Sequence, residues 1–229
     1  MSEILFYHTY NRGVDKRKIF LEDSDYSRGV HDLYEFNDAK AVTNFDRRSV
    51  GFPKSNVFEN KAREKLIDMG AWCLMPNHYH LFLSPVIDDG LVKFHKKLGV
   101  GFANFFNTKY KRSGALFQGK YKKVQVVDDV QALQLICYIH SNPLDLWKPD
   151  WKEKGLINSE IQNALGFLEK GYRWSSHLDW WGVRNFPSLI EPDFMSRFFK
   201  NPEEYREFFT NWLRYYEKSV QLPTKFVLE

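Results

Sequence analysis

The chain has 229 residues, 43% hydrophobic and 27% charged, with 33 Lys and Arg against 29 Asp and Glu for a net charge of +4. This ordinary globular balance excludes a disordered polymer, a collagen-like rod and a coiled coil. No apolar run approaches the roughly 20 residues of a membrane-spanning helix. The opening MSEILFYHTYNRG lacks a basic segment followed by an apolar one, so no signal peptide, no membrane partner and a cytoplasmic location are expected.

Residues 4–10, ILFYHTY, are β-branched and aromatic and predict a strand, with Asn11-Arg12-Gly13 as the turn after it. Asp23-Ser24-Asp25 starts a helix reaching about Phe36. Residues 37–57 are polar and irregular and predict a loop or insertion. Lys61–Met69 predicts a helix stopped by Gly70. Residues 71–75 and 78–84 are apolar strands separated by a Pro-Asn break, so they predict an antiparallel hairpin. Leu91, Phe94, Leu98, Phe102 and Phe105 recur at helical spacing up to about Tyr110, weakened by Gly99 and Gly101. Arg112-Ser113-Gly114 is a turn, and residues 121–127 are a strand. Asp128-Asp129 caps a helix from Val130 to about Ser141, ended by Asn142-Pro143.

The resulting order, β-α-β-β-α-β-α, predicts an α+β fold: a ferredoxin-like antiparallel sheet with helices on one face. Beyond about residue 145 the pattern changes. Trp147, Trp151, Trp174, Trp180 and Trp181 lie in a polar background, and Pro192, Pro202 and Pro223 punctuate short helices. The expected division is a catalytic domain over 1–145, carrying the 37–57 insertion, and a mainly helical C-terminal elaboration over 146–229.

Cys73 and Cys137 sit in AWCLM and LICYI, as reduced core thiols do, and neither forms a CxxC pair. The charge is unevenly distributed. Residues 93–123 hold nine cations and no Asp or Glu, leaving 24 cations against 29 acids elsewhere. A positive patch on a slightly acidic body is the electrostatic footprint of a polyanion partner, although a solubilising face has the same composition. Aromatic residues interleave with these lysines. Those at helical spacing suit the core, whereas Phe117 and Tyr121 lie outside the helix, where bases could stack on them.

Two segments carry chemistry. In His78-Tyr79-His80, on a predicted strand, alternate side chains share a face, so both imidazoles project together and can chelate one divalent ion. Packing of two core histidines is the competing explanation. In Tyr138-Ile139-His140-Ser141-Asn142-Pro143, positions i and i+4 put Tyr138 and Asn142 on one helix face, with His140 displaced by about 200°. A phenol beside a hard oxygen ligand suits phosphoryl transfer: the metal polarises the phosphate and the phenol attacks. A packed tyrosine and a capping asparagine would look the same.

Taken together, four segments resemble the single-tyrosine transposases of the HUH endonuclease superfamily, and within them the REP-associated tyrosine transposases. They are Tyr7–Gly13 with Lys16 to Phe20, Met75–Leu81, Gly114–Tyr121 with its flanking lysines, and Tyr138–Pro143. Tyr172-Arg173-Trp174-Ser175-Ser176 matches as well. The resemblance implies that His78 and His80 bind a catalytic Mg²⁺ or Mn²⁺, with Asn142 at the third ligand position, where relatives often carry Gln. It implies that Tyr138 cleaves single-stranded DNA, leaving a 5′-phosphotyrosine link and a free 3′-OH. Tyr79 stands where the family usually has an apolar residue. The 37–57 insertion has no match.

The expected partner is single-stranded DNA with a hairpin. Arg12, Lys109, Lys111, Arg112, Phe117, Lys120, Tyr121, Lys122 and Lys123 are the expected DNA contacts, and a homodimer is left open. No GxxxxGK[ST] phosphate loop is present, in keeping with an ATP-independent reaction. Two other readings stay open: a hairpin-binding module without cleavage, and a metal-assisted hydrolase with no covalent intermediate.

Overall fold

The computed structural model describes residues 5–41 and 63–216. Most of the predicted insertion (42–57), residues 61–62 and the end of the C-terminal elaboration (217–229) lie outside the described residues. Strands β1 (Phe6–Arg12), β2 (Ile67–Met75), β3 (His78–Pro85) and β4 (Lys122–Val126) form one sheet in the order β2-β3-β1-β4, with every neighbouring pair antiparallel. Helices α1 (Asp23–Glu35), α2 (Gly90–Lys109) and α3 (Asp129–Ser141) complete the predicted alternation. This is the ferredoxin-like arrangement.

Local chemistry sets the helix starts. Asp25 closes α1 by accepting from the backbone of Leu21 at 2.8 Å and Glu22 at 3.2 Å. Asp128 caps α3 by accepting from Gln131 N at 2.7 Å. Gly101 is tolerated inside α2 because a Cβ there would lie 2.3 Å from the Phe36 ring. The close approach of that ring, at the end of α1, outweighs the helix penalty of glycine, about 1 kcal/mol.

Two boundaries differ from the expectations. No helix forms over the described part of Lys61–Met69, residues 63–69, and Ile67–Met69 belong to β2. Asn37 decides this. Its side chain accepts from Leu66 N at 3.0 Å and Ile67 N at 2.9 Å and donates to Ile67 O at 2.9 Å, consuming the groups a helix would pair internally. Gly70 is then no helix stop but the site of a register shift between Met69 and Ala71. A Cβ there would meet the Phe194 ring at 2.2 Å. The predicted turn at Asn11-Arg12 is also still strand: both residues pair with β3, opposite Tyr79 and His78.

Alternation sorts the sheet into two faces. On one face lie α1 and α2, with Thr9 and Tyr79 bonded to His95 of α2 at 3.0 and 3.3 Å. The other face carries His8, His80 and Phe82 and is also covered. Helix α3 packs there, as does α8 (Pro192–Phe198) of the C-terminal part, whose other helices are α4 (Leu144–Trp147), α5 (Trp151–Lys154), α6 (Asn158–Gly166), α7 (His177–Trp180) and α9 (Pro202–Arg214). Phe194 of α8 meets Phe6 and Phe82 with ring centres 5.3 and 5.5 Å apart. A bridge from Ser175 to Cys73 and the bond from Trp180 Nε1 to Gly70 O (3.0 Å) tie this part to β2. One buried cluster runs from Phe6 to Leu213.

Candidate active site

The β1–β3 register brings the polar face together. Tyr10 stands opposite His80, and Arg12 opposite His78. Directly paired residues share a face, so His8, Tyr10, Arg12, His78 and His80 converge, while Tyr79 turns to α2. Helix α3 crosses above them and lowers Tyr138 onto the imidazoles. Its ring centre lies 5.4 Å from His80 and 6.3 Å from His8, edge-on to both. The His78 and His80 ring centres are 4.9 Å apart.

Asn142 joins the group from the end of α3. Its Nδ2 donates to Tyr138 O at 2.7 Å. Its side chain also hydrogen-bonds His78. His78, His80, Asn142 and Tyr138, expected to act together, are thus neighbours. His140 is not among them. It turns away, with Nδ1 on Tyr205 Oη and Nε2 on Ser176 Oγ, each at 2.7 Å.

The site is dry. His80 is fully buried, and Tyr138 and Asn142 are each 2% exposed. Burial pushes His8 down to about 3. It does the same to His78, helped by the charges of Arg12 and Lys152. Burial also drives His80 well below the ordinary imidazole range. All three are neutral at physiological pH, the state in which imidazole offers a lone pair. His80 Nδ1 meets His8 Nε2 at 2.9 Å, whereas His80 Nε2 is buried with no hydrogen-bond partner.

Such an orphaned ring nitrogen, beside a second neutral imidazole and the Asn142 amide, suits a divalent cation once it is unprotonated. The set holds only two residues of the commonest ligand types. Among the described residues, no three His, Cys, Asp or Glu are grouped to hold a metal ion.

Lys152 and Asp145 were not expected. Trp151 is fully buried and anchors α5. Its Nε1 donates to Asp145 Oδ1 at 2.8 Å, and Lys152 Nζ donates to Asp145 Oδ2 at 2.8 Å. The ammonium thereby sits 5.2 Å from the centre of the Tyr138 ring. Arg12 lies near enough for its charge to couple to the Tyr138 phenol. Two cations therefore lie near the Tyr138 side chain, with Lys152 paired to Asp145.

The other expected DNA contacts lie away from the imidazoles. Lys109 is held by Glu22 at 2.6 Å and Asp25 at 2.5 Å. Arg112 donates to Asn107 Oδ1 at 2.7 Å and Ala115 O at 3.2 Å. Tyr121 stacks on His95 at 3.8 Å, and Phe117 packs against Tyr79 and Phe102, so both serve the opposite side of the sheet. Lys111, Lys120, Lys122 and Lys123 are exposed.

No family model matches the chain, and no curated protein matches it in sequence. Among the solved structures that resemble it is that of a REP-associated tyrosine transposase bound to a REP hairpin. The likeness is weak. It has a TM-score of 0.38 and 12% identity, over 64% of this chain and 74% of that one. Among the described residues, no helix is long and apolar enough to cross a membrane.

Proposed function

We propose that the chain is a metal-dependent single-stranded DNA endonuclease and strand transferase, a transposase acting at DNA hairpins through a 5′-phosphotyrosine intermediate. The observation that carries this is the placement of the Tyr138 ring 5.4 Å from His80 within one chain. Tyr138 Oη attacks the scissile phosphorus, the P–O3′ bond breaks, and the 3′ oxygen leaves as a hydroxyl. Religation is the reverse, so no nucleotide is consumed. His78, His80 and Asn142 would hold Mg²⁺ or Mn²⁺, which would supply charge neutralisation to the phosphate. Arg12 and Lys152 balance the charge of the attacking phenol. Lys111, Lys120, Lys122 and Lys123 supply backbone affinity on the exposed edge.

The test is a panel of end-labelled single-stranded hairpins with Mn²⁺. Wild type is expected to yield a covalent adduct that is lost in Tyr138→Phe and His80→Ala and kept in Tyr10→Phe. An undiminished adduct in Tyr138→Phe removes the nucleophile assignment. The 2% exposure of Tyr138 favours a second reading, a hairpin-binding protein that does not cut. Tight hairpin binding in EDTA, with no covalent product in Mn²⁺, selects it.

A further inference from the structure

The backs of the two candidate ligand imidazoles are held by different residues, and the holding is specific. Asp15 and Lys16 both adopt left-handed backbone, at φ 55° and 57°. Outside glycine such conformations persist where their surroundings over-determine them. The Lys16 carbonyl accepts from Asn77 Nδ2 at 3.1 Å. That bond orients the amide, so Asn77 Oδ1 is the atom facing His78 Nδ1, at 2.6 Å. A carbonyl oxygen can only accept. Neutral His78 therefore carries its proton on Nδ1 and keeps its lone pair on Nε2.

His80 has the corresponding contact from β1, where its Nδ1 meets His8 Nε2 at 2.9 Å in full burial. One proton lies between these nitrogens. If His80 holds it, the orphaned Nε2 of His80 is a lone pair able to take a cation. If His8 holds it, the proton of neutral His80 sits on Nε2 and repels one.

We propose that Asn77 and His8 are positioning residues that hold His78 and His80 in the same Nδ1–H tautomer, presenting both Nε2 lone pairs to one divalent cation. The proposal rests on the metal reading above. It goes beyond that reading by assigning the site's order to two residues that are not ligands. Partners of this kind fix ring orientation and raise ligand basicity, and their loss typically weakens metal binding 10–100-fold.

The experiment is Mn²⁺ titration of the full chain without DNA, followed by electron paramagnetic resonance. His8→Leu and Asn77→Leu are each expected to weaken Mn²⁺ binding by about 10- to 100-fold. His8→Gln and Asn77→Asp, which restore an acceptor, are expected to recover most of it at matched thermal stability. Equal affinity in wild type and both leucine variants overturns the positioning roles and leaves the metal reading intact. Absence of Mn²⁺ binding in wild type overturns both. Imidazole ¹⁵N spectra of the wild type keep the proposal falsifiable if the leucine variants fail to fold. Nδ1–H is expected on both rings, with the Nε2 resonances moving on addition of Mg²⁺. A proton on Nε2 of either ring overturns it.

Discussion

Two groups of buried histidines lie on opposite sides of α3, and their contrast separates a packed histidine from a working one. Toward the C-terminal part, His140 has both nitrogens bonded, to Tyr205 and Ser176, and Tyr205 Oη also meets His177 Nδ1 at 2.9 Å. Toward the sheet, His80 keeps an unpartnered Nε2 beneath a tyrosine ring. Both groups are equally buried, so burial distinguishes nothing. What differs between His140 and His80 is whether the ring's hydrogen-bonding capacity is spent on the protein. His177 also has an unpartnered Nε2, but the rings packed on it are Trp181 and Phe209, not a phenol with cations near it.

The largest expected effect tests what the groups share. Burial pushes His8 of the sheet group and His177 of the C-terminal group down to about 3, against 6.5 for the free side chain. The unfolded chain takes up protons below about pH 6.5 that the folded chain refuses, so stability is complete above that pH. It falls as the pH drops from 6.5 toward 3, by several kcal/mol in all. Urea midpoints at pH 7 and 4.5 check this, and a pH-independent midpoint contradicts it.

Breaking the C-terminal group should cost stability and leave the chemistry in place. Tyr205→Phe strips His140 Nδ1 and His177 Nδ1 of a shared partner. It is expected to destabilise by about 1–3 kcal/mol per orphaned group. The melting temperature is expected to drop by about 2–4 °C for each kcal/mol. Per folded molecule, covalent-adduct yield is expected to hold, and a selective loss of adduct would make this group part of the reaction.

The sheet side should show the converse. Lys152→Met is expected to slow adduct formation about 100-fold, the lower end of the range for losing one group that stabilises developing charge. Lys152→Arg should restore part of the rate, and hairpin affinity and melting temperature should change little. A loss confined to affinity would make Lys152 a backbone contact. The smallest effect is expected at the exposed edge. Lys122→Gln and Lys123→Gln should each weaken hairpin binding a few-fold and flatten its salt dependence. Affinity unchanged across salt concentrations removes them from the interface.

The contrast also explains what the sequence could disclose. Strand alternation and helical spacing made the β-α-β-β-α-β-α order legible, together with the shared face of His78 and His80 and that of Tyr138 and Asn142. Position i+2 likewise puts His8, Tyr10 and Arg12 on one face, but that parity names neither the strand opposite nor its register. The start of β2 was illegible because its backbone is claimed by Asn37, distant in sequence. Lys152 carried no signal of its own. Its place follows from burial of Trp151 and from Asp145, which holds both residues across a turn. The lysine-rich segment was legible as charge, but composition could not reveal that Lys109 is bound to α1.

The most direct test locates the covalent bond. The wild-type adduct with a 3′-labelled hairpin is digested with trypsin and sequenced by tandem mass spectrometry. Tyr138 falls in the peptide between Lys123 and Lys148, well separated from Tyr7 and Tyr10 near the start of the chain. The account predicts a nucleotide on Tyr138 Oη through a 5′-phosphate. A nucleotide on Tyr10, or cleaved DNA with no protein-linked 5′ end, would contradict it.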